Sequence, residues 1–98
     1  MRRIRNNTIT IENLETWGVC GRALKWFRRV FPSGRARITL TNLRRLARRE
    51  EFWLGELAEF VLSWNKTCSF YDFSVEEWQR PRCRERCVQK FWKLWRSQ

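Results

Sequence analysis

Ile9-Thr10-Ile11-Glu12-Asn13-Leu14 recurs almost unchanged as Ile38-Thr39-Leu40-Thr41-Asn42-Leu43, twenty-nine positions later. In each copy a β-branched residue leads into a threonine, whose hydroxyl can accept a hydrogen bond from an orphan N–H of a first helical turn, and an asparagine follows three residues on. Each copy therefore reads as a helix start, and two ordinary N-caps explain the recurrence more simply than a duplication. The first start predicts a helix of about two turns from Ile11 to Trp17, stopped by Gly18, a residue suited to the left-handed position beyond a C-cap. The second predicts a helix from Leu40 to Arg49, with Leu40, Leu43, Leu46 and Ala47 on one face and Arg44, Arg45 and Arg48 on the other.

Working outward, the segment Val19 to Phe31 places Cys20, Ala23, Leu24, Trp26, Phe27, Val30 and Phe31 three and four apart, while Arg22, Lys25, Arg28 and Arg29 fill the other positions. Pro32-Ser33-Gly34 ends it. From Phe52 to Trp64 the chain is at its most apolar, with Trp53, Leu57, Phe60, Val61 and Trp64 at helical spacing, which predicts the central buried helix. Asn65 to Phe73 reads as a loop. Ser74-Val75-Glu76-Glu77 matches a capping box, and Pro81 suits the first turn of a last helix running to Arg96. The fold class predicted is all-α: a compact single domain, 1–98, of roughly four to six short helices around an aromatic-rich core. Residues 1–8 form a basic N-terminal arm in this reading, and 81–96 a basic amphipathic terminal helix.

The composition agrees with one core and points to binding. Twenty-one Lys and Arg stand against ten Asp and Glu, a formal charge of +11, and seven Trp and seven Phe are carried in 98 residues. A chain of this length cannot assemble a second hydrophobic core. Its charge attracts nucleic acid or acidic protein surfaces over long range. The charge is uneven, with nine bases against two acids in residues 1–37, four against four in 38–64 and eight against four in 65–98. The two ends hold the excess.

The usual chemistries lack their parts. With no histidine in the chain, a cysteine nucleophile lacks its customary base. Glu50, Glu51, Glu56 and Glu59 gather around a helix start, where acids complement the dipole. Asp72, between aromatics, suits a turn. Cys83 and Cys87 lie four apart on one face of the last helix, but Cys20 and Cys68 lack close ligand spacing, so no metal and no cofactor is expected and the thiols read as small hydrophobes. No apolar run has the length of a signal peptide or a membrane span, which predicts a cytoplasmic protein with reduced cysteines. A helix-turn-helix over Leu40–Leu62 fails chemically, since its second helix offers Glu56 and Glu59 and no side chain for base edges.

The candidate partner-binding residues are those of the last segment, Arg80, Arg82, Arg84, Arg86, Lys90 and Lys93 with Trp92 and Trp95, joined by Arg22, Lys25, Arg28 and Arg29. Bases interleaved with aromatics suit phosphate contacts beside stacking platforms. The same pattern suits an anionic interface or a partner's groove, or simply a terminal helix burying its aromatics under a solvated basic face.

The stretch from Glu12 to Gly34, with Gly18-Val19-Cys20, then Leu24-Lys25-Trp26-Phe27, then Phe31-Pro32-Ser33-Gly34 and the Thr39-capped helix beyond, resembles a segment recurring in small phage- and prophage-encoded proteins. The resemblance covers residues 12–46, and its motif is structural: cap, core and stop. It implies a phage-encoded protein acting in a host cytoplasm and carries no assigned chemistry. The expected function is that of a non-enzymatic protein which binds and inhibits or modulates a host nucleoprotein or DNA-processing enzyme, of the nuclease, recombination or CRISPR-defence kind. The alternatives are direct, sequence-tolerant DNA or RNA binding through the basic ends and, least favoured, a peripheral membrane role.

Overall fold

The computed structural model describes residues 7–48, 53–62 and 75–97. Within them the order is β1 (Thr8–Thr10), α1 (Ile11–Thr16), α2 (Gly21–Val30), β2 (Arg35–Arg37), α3 (Leu40–Leu46), α4 (Leu54–Val61), α5 (Val75–Trp78) and α6 (Pro81–Arg96). The fold is all-α with one small addition. Strands β1 and β2 pair antiparallel, Thr8 facing Arg37, Ile9 facing Ala36 and Thr10 facing Arg35. Ile38 extends the ladder by donating to the Asn7 carbonyl at 2.7 Å. The alternation that makes β2 is plain afterwards: Arg35 and Arg37 are exposed while Ala36 and Ile38 are buried. A three-residue period-2 signal is too short to separate from a loop. Asn7 and Thr8, read from the sequence near the end of the N-terminal arm, take part in this ribbon, and residues 1–6 lie outside the described residues.

The ribbon explains the recurrence. Thr8 and Arg37 face each other, and they are twenty-nine residues apart, the same interval as the repeat. A local two-fold axis passes through a facing pair of an antiparallel ladder. The axis at this pair carries Ile9 onto Ile38 and Thr10 onto Thr39. The two copies therefore leave opposite ends of one ribbon as related arms, each a strand, a threonine cap and a short helix.

Both caps are made. Thr10 Oγ1 accepts from the Asn13 N–H at 3.1 Å while Asn13 Oδ1 accepts from the Thr10 N–H at 3.1 Å. Thr39 Oγ1 accepts from the Asn42 N–H at 3.1 Å, but Asn42 turns its amide to the Arg37 carbonyl at 2.9 Å. Replacing Thr10 by Ala should cost about 1 kcal/mol, read as a lower denaturant midpoint with an unchanged slope. At the other end of α1, Gly18 takes φ +80°. Its N–H donates to the Glu15 carbonyl at 3.1 Å, and the Val19 N–H reaches the Leu14 carbonyl at 3.0 Å. Those two bonds form a Schellman closure, and only glycine enters it without steric cost.

Helix α3 is the element that ties the fold together, packing against both α2 and α6. Seven residues are too few for a helix to hold itself in water. Two buried indoles secure its C-terminal end: Trp26 Nε1 donates to the Leu46 carbonyl at 3.2 Å and Trp78 Nε1 to the Arg48 carbonyl at 2.8 Å. The Leu46 carbonyl is one of the acceptors a helix end leaves without an i+4 partner, and it is shared with the Arg48 N–H at 2.9 Å; Arg48 itself lies just beyond the C-cap. The chain leaves helical geometry at Ala47, with ψ 68°, so α3 stops three residues before the expected Arg49.

The most apolar segment forms α4, shorter than Phe52–Trp64. Its buried stripe is Leu54, Leu57, Ala58 and Val61, with Trp53 and Phe60 half-buried at the margin. Phe60 stacks on Trp17, ring centroids 6.1 Å apart at 12°. Pro81 opens α6 at its first turn as expected. Ser74, the 65–73 loop, Cys68 and Trp64 lie outside the described residues.

Candidate functional site

Folding sorts the charges by element. Helices α1, α4 and α5 carry Glu12, Glu15, Glu56, Glu59, Glu76 and Glu77 and not one base. Four bases on α2, two on β2, two on α3 and six on α6 are accompanied by a single acid, Glu85. Helix α3 joins the basic elements, and its neighbouring arginines reach both partners. Arg45 donates to the Val30 carbonyl at the end of α2, 3.1 Å away, with its guanidinium 4.8 Å from the Phe31 ring centre. Arg44 forms a two-pronged pair with Glu85 on α6, Nε to Oε1 at 3.0 Å and Nη2 to Oε2 at 2.9 Å.

On α6 the inward face is Cys83, Cys87, Val88 and Phe91. The outward side carries Arg82, Arg86, Gln89, Lys93 and Arg96, all exposed. Successive intervals of four, three, four and three residues keep them in one row down the helix. Lys90 is half-exposed beside that row. A groove along this face is lined by Arg82, Arg86, Gln89, Lys93 and Arg96 and also by Glu85 and Trp92.

Some candidates also have structural contacts. Half-buried Arg84 donates from Nη1 to the carbonyls of Trp78 and Gln79, both at 2.8 Å. It thereby satisfies the end of α5. Trp92 and Trp95 are half-buried and pack against the core. The Arg96 guanidinium lies 5.8 Å from the Trp92 ring centre. Neither indole stands clear as a stacking platform, because the short domain uses both to extend its core. Arg80 is exposed at the N-cap of α6, where its carbonyl accepts from the Cys83 and Arg84 N–H groups. Arg22, Lys25, Arg28 and Arg29 are exposed on α2, opposite its buried Ala23, Trp26, Phe27 and Val30. Arg35, Arg37, Arg44 and Arg45 are further exposed bases on β2 and α3, and Arg96 ends the basic row of α6.

Cys83 and Cys87 are buried free thiols, and Cys20 is exposed at the start of α2. Among the described residues no cluster of three metal-ligating side chains exists, and no helix is long and apolar enough to cross a membrane.

Glu85 is the control point of the row. Hydrogen bonds from Arg44 and then Gln89 hold its carboxyl below the usual carboxylate range, and the same bond raises the Arg44 guanidinium above its ordinary value. A carboxyl lowered on folding contributes stability above its unfolded pKa and loses it as pH falls through the lowered value. The pair is half exposed, so this contribution is small. Glu85→Gln should leave the melting transition nearly in place at pH 7 while tightening polyanion binding severalfold, since it removes the row's one negative charge and frees Arg44. Parallel melting and binding titrations check both halves.

The chain matches no protein-family model, no curated protein and no solved structure.

Proposed function

We propose that this is a small, non-enzymatic binding protein whose basic side docks on the nucleic acid of a host nucleoprotein or DNA-processing complex and so modulates that complex. The observation that carries the reading is the separation of charge: fourteen bases and one acid on α2, β2, α3 and α6, six acids and no base on α1, α4 and α5. Charge concentrated on some elements of a packed body attracts a polyanion before contact and strengthens its capture. The target in a host cell is supported by the resemblance of residues 12–46 to phage-encoded segments. Inhibition follows physically if the docked domain covers the path the nucleic acid takes through its enzyme. A membrane role has less support, because α6 uses its apolar face inside the domain and offers the opposite, charged side outward.

Affinity capture from a bacterial lysate, with and without nuclease, tests this. The reading expects a captured nucleoprotein that is released by nuclease and by moderate salt. Capture of a protein that nuclease and salt both leave in place would contradict it.

A further inference from the structure

We infer that the ligand of the α6 face is double-helical DNA, with α6 set across the major groove and phosphates of the two strands held at its two ends. This rests on the reading of the basic side given above. The helix has 16 residues, about 24 Å at its usual rise, enough to cross a major groove about 12 Å wide. Arg82 and Arg86 form one basic pair, Lys93 and Arg96 another, with neutral Gln89 between them on the same row. The midpoints of the pairs lie about 16 Å apart along the axis. Side chains as long as Arg and Lys carry those charges outward to the two phosphate walls of such a groove. The one acid of the helix is partly offset where it borders the row: Arg44 and Gln89 both hydrogen-bond Glu85 Oε2, at 2.9 and 2.7 Å.

Two other nucleic-acid forms fit less well. Single strands gain much of their affinity by stacking bases on aromatic rings, and on α6 Trp92 and Trp95 pack against the core, with Arg96 over the Trp92 ring. Duplex RNA presents a major groove too deep and narrow to admit a helix.

The test is fluorescence anisotropy of the full chain at one salt concentration. Its probes are a random-sequence DNA duplex of ~20 base pairs, one strand of it alone, and an RNA duplex of the same sequence. The DNA duplex should bind about tenfold tighter than either other probe. Arg82→Gln with Lys93→Gln should weaken duplex binding about tenfold, a larger loss than Arg22→Gln with Lys25→Gln on α2 produces, folding being verified by circular dichroism. Equal binding of the three probes, or equal loss from the α2 and α6 pairs, overturns the groove assignment and leaves the broader reading of the basic side standing. Failure of the folded parent to bind any probe overturns both. The probe comparison uses the unmodified chain and holds whatever the variants do.

Discussion

Trp26→Ala destabilises the fold by about 3–5 kcal/mol, the usual consequence of emptying a buried aromatic site. Trp26 is 1% exposed, fully enclosed between α2 and the end of α3. A domain of this size has about 5–15 kcal/mol in total, and each kcal/mol moves its melting point by about 4–8 °C, so Tm should fall by about 12–40 °C. Trp26→Phe separates the two contributions. It keeps an aromatic ring in the site and removes the indole N–H from the Leu46 carbonyl, for a smaller cost of about 1–3 kcal/mol. Calorimetry of the two variants checks the order. Equal losses would mean that the hydrogen bond at the end of α3 contributes nearly all of the effect, and small losses from both would mean that α3 is not secured there.

Reversing Arg82, Arg86, Lys93 and Arg96 to Glu abolishes polyanion binding without unfolding the domain. All four are exposed on the outward side of α6, away from Cys83, Cys87, Val88 and Phe91. Helical circular dichroism should persist and affinity should fall by at least about a hundredfold, since four phosphate contacts are replaced by four repulsions. Arg84 is the contrasting position. Its two bonds to carbonyls at the end of α5 make Arg84→Glu a lesion of stability, visible as a lower Tm, before it is a lesion of binding.

What the sequence made legible was local. The threonines at 10 and 39, the glycine at 18 and the proline at 81 act over one turn, and each sits where its own chemistry requires. The ribbon escaped notice because its pairing joins residues twenty-nine apart through three-residue strands. The candidate site divided along the same line. Exposure of Arg82, Arg86 and Lys93 follows from helical periodicity on α6 itself. The bonding of Arg84 depends on α5 ending beside it, and the use of Trp92 against the core depends on which helices pack there. The most informative feature, the sorting of acids and bases onto different elements, is written in the sequence but becomes a surface only when α3 brings α2 and α6 together through Arg45 and Arg44.

The central claim is that the basic side of this domain, with α6 as its main contact, binds phosphates. The direct measurement is the salt dependence of binding between the parent chain and a random-sequence DNA duplex, because counterion release counts the phosphates engaged. Four contacts from the α6 row give a slope of log K against log salt of about −4, at about −0.9 per contact. A flat dependence, or a steep one that persists unchanged when Arg82, Arg86, Lys93 and Arg96 are reversed, would contradict it.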